Sequence, residues 1–359
     1  MVVFKLEYNA IYHFLDEDKV PVEETGLSPL CLEDFFNDTL PWPQMTTGGF
    51  PCQDLSSAYL QGGEGIEGEK SGLVFEQLRI MENLEIEMAV FENSWQLNKK
   101  GLAVILIELN ELGYCVEWET ISATAFGYPH FRHRLFIVCY LKTSPIYKNN
   151  IRIMDLVRGQ AQRKPTWKMP LLSQPQKVLK SAVAIDTRSI KLRTKRINSL
   201  GNSIVLDIPE AILNAISDSY GLSAKLKEIK PITSKKTNHL FLTQNGWVDK
   251  SQSSLFDQDT KVTSDMPRNG FMDAGVINYS ATRCPIFDPT NTKYSNLFST
   301  LIRKDGNNTF TTKSRLSRPG KLGGLVGEIM GIGASVGGLH PEFCEEFMGY
   351  PKGYTELAY

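Results

Sequence analysis

The chain has 359 residues, enough for about two domains and a substantial buried core. Apolar residues make up 42% and charged residues 22% of the chain, both close to the averages of soluble globular proteins. No stretch approaches the roughly 18 consecutive apolar residues of a membrane-spanning helix. These values exclude a membrane-embedded and a wholly disordered protein. The first residues lack a basic start followed by a long apolar core, so we expect a cytoplasmic protein.

Charge is distributed unevenly, although the net charge is only -1. Residues 1–100 hold 6 Lys/Arg and 18 Asp/Glu, a net charge of -12, whereas residues 142–200 hold 14 and 2, a net charge of +12. Such a basic segment suits a polyanion such as nucleic acid, because each Lys or Arg that binds near its phosphates displaces counterions into solution. The alternative is a basic surface that neutralises the acidic half of the chain.

The six cysteines contain no C-x-x-C pair, which argues against a zinc site and a disulfide framework, so we expect no metal.

Residues 1–141 alternate short apolar runs with amphipathic stretches, which predicts an α/β sheet built from βαβ units. The predicted elements begin with a strand at 2–7, a helix at 9–15, a turn at 48–51 and a helix at 71–84. A strand at 87–91 then ends at a polar pair, Glu92 and Asn93. Further elements are a helix at 101–112, strands at 114–120 and 135–141, and a helix at 204–217. Residues 222–320 are polar and weakly periodic, so we place few elements there.

Cys52 and Glu92 are the first candidates for chemistry. Cys52 follows a Gly-Gly-Phe-Pro turn, where nearby main-chain N–H groups would stabilise the nucleophilic thiolate; the alternative is a small buried side chain. Glu92 stands at the end of a strand, where α/β sheets place their sites. Apolar neighbours would raise its pKa and make it a proton donor, whereas the alternative is a surface acid or a helix cap.

Arg132 and Arg134 alternate directly before the apolar strand at 135–141 and are therefore expected on one face. Two guanidinium groups there could hold a carbonyl, a carboxylate or a phosphate. The alternative is a solvated strand end.

These motifs, in this order, resemble the cytosine-C5 DNA methyltransferase family of bacteria and phages. GGFPCQDLS (48–56) is similar to the nucleophile motif, and FEN (91–93) to the Glu-Asn-Val motif. GYPHFRHRLFIV (127–138) is similar to the Gln-x-Arg-x-Arg motif, and LGNSIVLDIPEAI (200–212) to the last motif of the family. GEGIEGEKSGLVFE (63–76) resembles the stretch after the nucleophile, and LHPEFCEEFMGYPKGYTEL (339–357) a tail of phage-type members.

The resemblance implies an enzyme with a Rossmann-like, S-adenosylmethionine-dependent methyltransferase sheet and a smaller DNA-recognition region. Cys52 would attack C6 of a cytosine flipped out of double-stranded DNA, Glu92 would contact N3, and C5 would accept the methyl group. Of the two family arginines, Arg132 would hold the O2 side of the base, and Arg134 matches the second.

The family also implies cofactor contacts from Glu7 at the ribose, and from Pro51, Asn202 and Ser203. It implies a role in DNA methylation, as in a restriction-modification system or phage self-protection.

We expect four regions on this basis. Residues 1–141 would form the catalytic core, 142–196 a basic connection touching phosphates, and 197–221 a helix completing the core. Residues 222–359 would hold the target-recognition region and the tail.

The chain lacks the Phe-x-Gly-x-Gly turn that opens the family pattern before Cys52. The strand at 2–7 would match the second strand of the family, so the first strand is expected to be missing and its neighbours to lack main-chain partners. The alternative function is therefore a truncated or split member that is inactive alone, either a DNA-binding relic or half of a two-chain enzyme whose second chain supplies the cofactor loop. A thiol-dependent enzyme acting on a small pyrimidine is a third possibility, which the basic segment does not favour.

Overall fold

The computed structural model describes residues 2–5, 10–13, 42–50, 73–161, 167–221, 237–249, 262–280, 296–311 and 323–356. It divides into two units. The first comprises residues 1–120, 134–156 and 216–282, and the second comprises residues 121–133, 157–215 and 283–359. Within the described parts of the chain, no helix is both long enough and apolar enough to cross a membrane.

The strands of the described residues form one ten-stranded mixed sheet and one two-stranded sheet. The large sheet has the order β2-β1-β3-β4-β6-β5-β10-β11-β8-β9. Its strands are β1 (Val2–Lys5), β2 (Ala10–His13), β3 (Met45–Gly49), β4 (Met88–Ser94), β5 (Tyr114–Ser122), β6 (His133–Leu141), β8 (Thr237–Thr243), β9 (Gly246–Val248), β10 (Asn269–Asp273) and β11 (Val276–Ser280). The small sheet pairs β7 (Val183–Ala184) with β12 (Gly338–Leu339).

Ten α-helices lie within the described residues. They are α1 (Leu73–Asn83), α2 (Leu97–Lys100), α3 (Leu102–Glu111), α4 (Pro145–Lys148), α5 (Ile153–Gln160), α6 (Pro175–Ala182), α7 (Arg193–Asn202), α8 (Asp207–Gly221), α9 (Gly324–Gly331) and α10 (Pro341–Phe347). Three 3-10 helices at Ala123–Phe126, Arg303–Asn307 and Tyr354–Glu356 complete the described helical elements.

Strands β3 and β4 are the parallel pair that holds the candidate site. They pair in register from Met45 opposite Met88 to Gly49 opposite Glu92, and α1 lies between them in the chain. On its other side β4 pairs antiparallel with β6. This arrangement brings the polar end of β4 between the end of β3 and the start of β6.

The core of the first unit is apolar and centred on large buried side chains. Phe91, Trp118 and Trp247 are almost completely buried in one cluster with the apolar face of α3. The indole N–H groups of Trp118 and Trp247 donate to the main-chain oxygens of Pro267 and Ala103. Buried aromatic side chains of this size contribute much of a core's burial energy, so the strands beyond β5 are joined firmly to the sheet.

A buried carboxylate fixes the first turn of α5. Glu117 on β5 accepts hydrogen bonds from the Tyr140 hydroxyl at 2.7 Å and from the N–H groups of Ile153 and Met154 at 3.1 and 3.0 Å. Burial raises the pKa of Glu117, although these hydrogen bonds act against that shift. The carboxylate satisfies N–H groups that a helix start otherwise leaves without acceptors.

Within the second unit, a buried ion pair joins α7 to α10. Arg196 on α7 donates to Glu345 on α10 at 3.0 Å, and its guanidinium also donates to Glu356 at 2.8 Å. Burial alone would raise the pKa of Glu345, but the hydrogen bonds from Thr355 and Arg196 hold that pKa below its usual range. The pair connects the helix before residue 203 to the tail at residues 341–356.

Most predicted elements are confirmed, and four expectations need correction. The turn expected at 48–51 is wrong at its start, because Gly48 and Gly49 are the last two residues of β3 and pair with β4. The helix expected at 9–15 is wrong, because Ala10–His13 is a strand that pairs with β1. The strand expected to end before Glu92 continues through Ser94. The strand that precedes the Cys52 segment has main-chain partners on both sides, because Val2–Phe4 pairs antiparallel with Met45–Thr47.

Candidate active site

Two consecutive glycines let the end of β3 lie close to β4 and α1. A Cβ atom on Gly48 would overlap the side chain of Gln77, and one on Gly49 would lie 3.2 Å from Glu92 Oε2. Larger residues would therefore push Glu92 or Gln77 away. Pro51 and Cys52 follow directly in the sequence but lie outside the described residues, as does Glu7.

Asn93 fastens this end of β3 to β4. Its side chain is buried, and its Nδ2 donates to the main-chain oxygen of Phe50 at 3.1 Å. Its Oδ1 accepts from the N–H of Ser94 at 2.7 Å. The sequence analysis noted Asn93 only as the neighbour of Glu92. Its position directly after a strand-end acid was the signal available for a positioning role.

Glu92 and Arg134 form an ion pair across neighbouring strands. Arg134 Nε lies 3.0 Å from Glu92 Oε1, and each side chain is 24% exposed. The pair is thus a partly exposed, charged couple at the strand end, where a planar donor and a carboxylate can both reach a ligand.

Arg132 has different partners from Arg134. It is buried in the second unit, and its guanidinium donates to the main-chain oxygens of Leu301 at 3.0 Å and Gly201 at 3.2 Å, and also to that of Ser203. A fourth bond reaches Thr300 Oγ1 at 3.3 Å. Arg132 therefore ties residues 201–203 to residues 300–301.

The expected cofactor residues Asn202 and Ser203 lie at the end of α7. Asn202 is exposed, so its amide is available to a ligand. The Ser203 hydroxyl donates to the main-chain oxygen of Leu200 at 2.8 Å. The exposed amide of Asn202 fits a polar contact with a nucleoside cofactor, whereas the Ser203 hydroxyl serves the chain itself. Among the described residues, no group of three or more His, Cys, Asp or Glu side chains is placed to hold a metal ion.

Comparison with known proteins identifies the chain through its sequence. The family model for C-5 cytosine-specific DNA methylase matches residues 32–354. The type II methyltransferase M.Sau3AI of Staphylococcus aureus is 41% identical over 104 residues, which cover 27% of this chain and 25% of that protein. M2.BsuMI of Bacillus subtilis is 36% identical over 124 residues, covering 32% of this chain and 31% of that protein. The matched part thus spans about a quarter to a third of these relatives.

Solved structures also resemble the chain. The Entamoeba histolytica methyltransferase EhMeth matches with a TM-score of 0.31 and 15% identity, covering 51% of this chain and 54% of that one. The S. pombe Dnmt2 methyltransferase matches with a TM-score of 0.23 and 15% identity, covering 42% and 47%. TM-scores this low do not bear on the fold. The family model, however, spans most of the sequence, and the chain therefore belongs to the C-5 cytosine-specific DNA methylase family.

Proposed function

We propose that the chain is a DNA (cytosine-5-)-methyltransferase that transfers a methyl group from S-adenosylmethionine to C5 of cytosine in double-stranded DNA. The observation that carries the proposal is the Glu92–Arg134 ion pair next to Gly49. Gly49 precedes Cys52 by three residues in the chain. A carboxylic acid and a planar cation thus lie at the end of the strand whose sequence leads into Cys52.

Cys52 is proposed as the nucleophile. Its thiolate forms a bond to C6 of the cytosine, and the electron pair of the C5–C6 double bond shifts onto C5, with delocalisation to N3, so that C5 becomes nucleophilic. S-adenosylmethionine, when bound, supplies the electrophilic methyl group. Once the methyl group is on C5, a water molecule accepts the C5 proton, the electrons of that C–H bond re-form the C5–C6 double bond, and Cys52 leaves C6 as the thiolate while N3 returns its proton to Glu92.

Glu92 is proposed to hold N3 of the base and to stabilise the charge that develops there, by hydrogen bonding and proton donation. Because Arg134 is its partner, Arg134 is the better placed of the two arginines to contact the O2 side of the same base. The assignment of O2 to Arg132 stays a prediction. The four contacts of Arg132 support a positioning role, in which it holds residues 201–203 where Asn202 can meet the cofactor.

Duplex DNA is the proposed partner, with the target base flipped out of the stack before reaction. The matched relatives are named type II methyltransferases, which favours a role in restriction-modification. Residues 142–196 remain proposed as phosphate contacts, and residues 222–359 as the region that reads the target sequence and forms the tail.

The test is transfer of a labelled methyl group from S-adenosylmethionine to mixed-sequence duplex DNA, followed by mass spectrometry of the nucleosides. We expect 5-methylcytosine with the unsubstituted chain and none with Cys52→Ala. Methylation that survives Cys52→Ala, or that falls on another atom, would contradict the proposal. If the unsubstituted chain binds DNA but transfers no methyl group, the alternative of an enzyme that needs a second chain is favoured.

A further inference from the structure

A 3-10 helix, Arg303–Asn307, packs tightly on α7 in the second unit. A Cβ atom on Gly201 would overlap the main chain where this 3-10 helix begins. Gly306 has no room for a Cβ atom either, because Asn198 and the main-chain oxygen of Thr194 lie against it. Thr194, Asn198 and Gly201 recur at helical spacing, so the 3-10 helix packs along one stripe of α7, although the Thr194 side chain stays exposed.

Next to this covered stripe, α7 presents an exposed cation. Lys195 follows Thr194 by one residue, a turn of about 100° around the helix axis, and its side chain is exposed. The side chains of Arg303 and Lys304 are exposed as well. We call Lys195, Arg303 and Lys304 the cationic face.

The acidic residue nearest in sequence to Arg303 and Lys304 does not face solvent. Helix α7 contains no Asp or Glu, and Asp305 is completely buried. Asp305 Oδ2 accepts the N–H of Ile302 at 3.0 Å and so caps the 3-10 helix. The acid therefore holds the segment in shape while the neighbouring cations point to solvent.

A further positive charge lies beneath the segment. Arg193 is buried and donates to the main-chain oxygens of Gly306 at 3.1 Å and Leu339 at 2.8 Å. These acceptors are carbonyl dipoles and carry no net charge. The buried guanidinium thus adds to the positive potential of the surface and fixes its backbone.

We infer that the cationic face binds the phosphate backbone of duplex DNA. The inference rests on the proposed function, since it names the surface with which the enzyme would hold its substrate. Cations presented from a fixed backbone, without exposed acids in the same two elements, attract phosphates, and such contacts position a protein on DNA. Asn202, further along α7, is assigned to the cofactor and is not part of this surface.

The test compares two pairs of exposed cations in the full chain. Arg303→Gln/Lys304→Gln removes two charges from the cationic face, and Lys99→Gln/Lys100→Gln removes two exposed charges from α2, outside the proposed phosphate contacts. Binding of a fluorescent duplex is followed by anisotropy at several salt concentrations, and thermal unfolding by circular dichroism verifies the fold. We expect the slope of log Kd against log salt to fall by about 1.8 for the first pair and to stay unchanged for the second.

Equal slopes for the two pairs, or a loss confined to Lys99→Gln/Lys100→Gln, would overturn the inference. If the first pair unfolds, Lys195→Gln replaces it, with an expected loss of about 0.9 in the slope, and an unchanged slope overturns the inference. Methyl transfer is measured separately. If the chain transfers methyl groups but the two pairs show no difference in slope, only the inference about the cationic face is overturned. If the slopes are as expected but the chain transfers no methyl group, only the proposed function is overturned.

Discussion

His130 should make the chain sensitive to mild acid. Its ring is completely buried, stacks on Phe347 with centroids 4.2 Å apart, and donates from Nε2 to the main-chain oxygen of Phe347 at 2.8 Å. Burial, aided by the charge of Arg132, lowers the pKa of His130 to about 3, although the bond to Phe347 opposes the shift. Protonation of Nδ1, which has no hydrogen-bond partner, would create a buried donor without an acceptor.

The direction of the pH dependence follows from proton binding by His130 in the folded and the unfolded chain. The unfolded chain binds a proton at His130 below a pH of about 6.5, while the folded chain does not until the pH is about 3. The stabilisation is thus complete above about pH 6.5 and is lost as the pH falls toward 3. Between pH 7.5 and 5.0 the loss from this one histidine is about 2 kcal/mol.

The assay is urea denaturation at both pH values for the unsubstituted chain and for His130→Gln, whose amide can still donate to the Phe347 oxygen. We expect the unsubstituted chain to lose about 2 kcal/mol more unfolding free energy on acidification than the variant does. His340→Gln, which changes a histidine at the start of α10, serves as the control. Equal pH dependence in His130→Gln and the unsubstituted chain would refute the reasoning.

Two further predictions concern positions that hold the site and its surroundings. Asn93→Ala loses the hydrogen bond to the Phe50 oxygen, so it should lower kcat for methyl transfer and cost about 1 kcal/mol of stability. Asn98→Ala, a buried control on α2, should leave kcat within about twofold. Equal losses of kcat in the two variants would contradict the positioning role of Asn93. Gly201→Ala should destabilise the chain by about 1–3 kcal/mol in thermal unfolding because its Cβ meets main chain. Gly331→Ala, where a Cβ meets nothing within 4 Å, should not, and a stable Gly201→Ala would show that α7 and the 3-10 helix can separate.

The sequence predicted the α/β sheet because its central strands carry strong apolar runs. Helix α1 and strand β6 were recognised within a few residues of their ends, since periodicity is clear where one face is buried. The short strand Ala10–His13 was missed. Four residues hold too little periodic signal, and pairing with β1 decides their conformation.

The strands at 237–280 were also missed, although their turns left a signal. The sequence contains an Asn-Gly pair, Asn245-Gly246, of the kind typical of tight hairpins, and the observed two-residue turn is Gln244-Asn245, after which Gly246 pairs with Thr243. The turn between β10 and β11 places Ala274 and Gly275 at φ values of 49° and 74°, a conformation that Ala rarely adopts and sequence patterns do not reveal.

For the site, Glu92 and Arg134 were named from the sequence, and the structure pairs them. The different environment of Arg132 depends on residues 201–203 and 300–301, which are distant in the chain. Alternation along a strand gives the side of the sheet for neighbouring residues. It does not give their partners, which tertiary contacts determine.

The central claim is that Glu92, paired with Arg134 at the end of β4, takes part in methyl transfer. The most direct test compares kcat for 5-methylcytosine formation in Glu92→Gln with that in Glu76→Gln, an exposed glutamate that pairs with Arg79 on α1. We predict that Glu92→Gln lowers kcat by about 10²–10⁴-fold, as expected for loss of an acid catalyst, while Glu76→Gln keeps the unsubstituted rate. A Glu92→Gln variant whose kcat falls by no more than about threefold, a loss far smaller than that expected of an acid catalyst, would contradict the account.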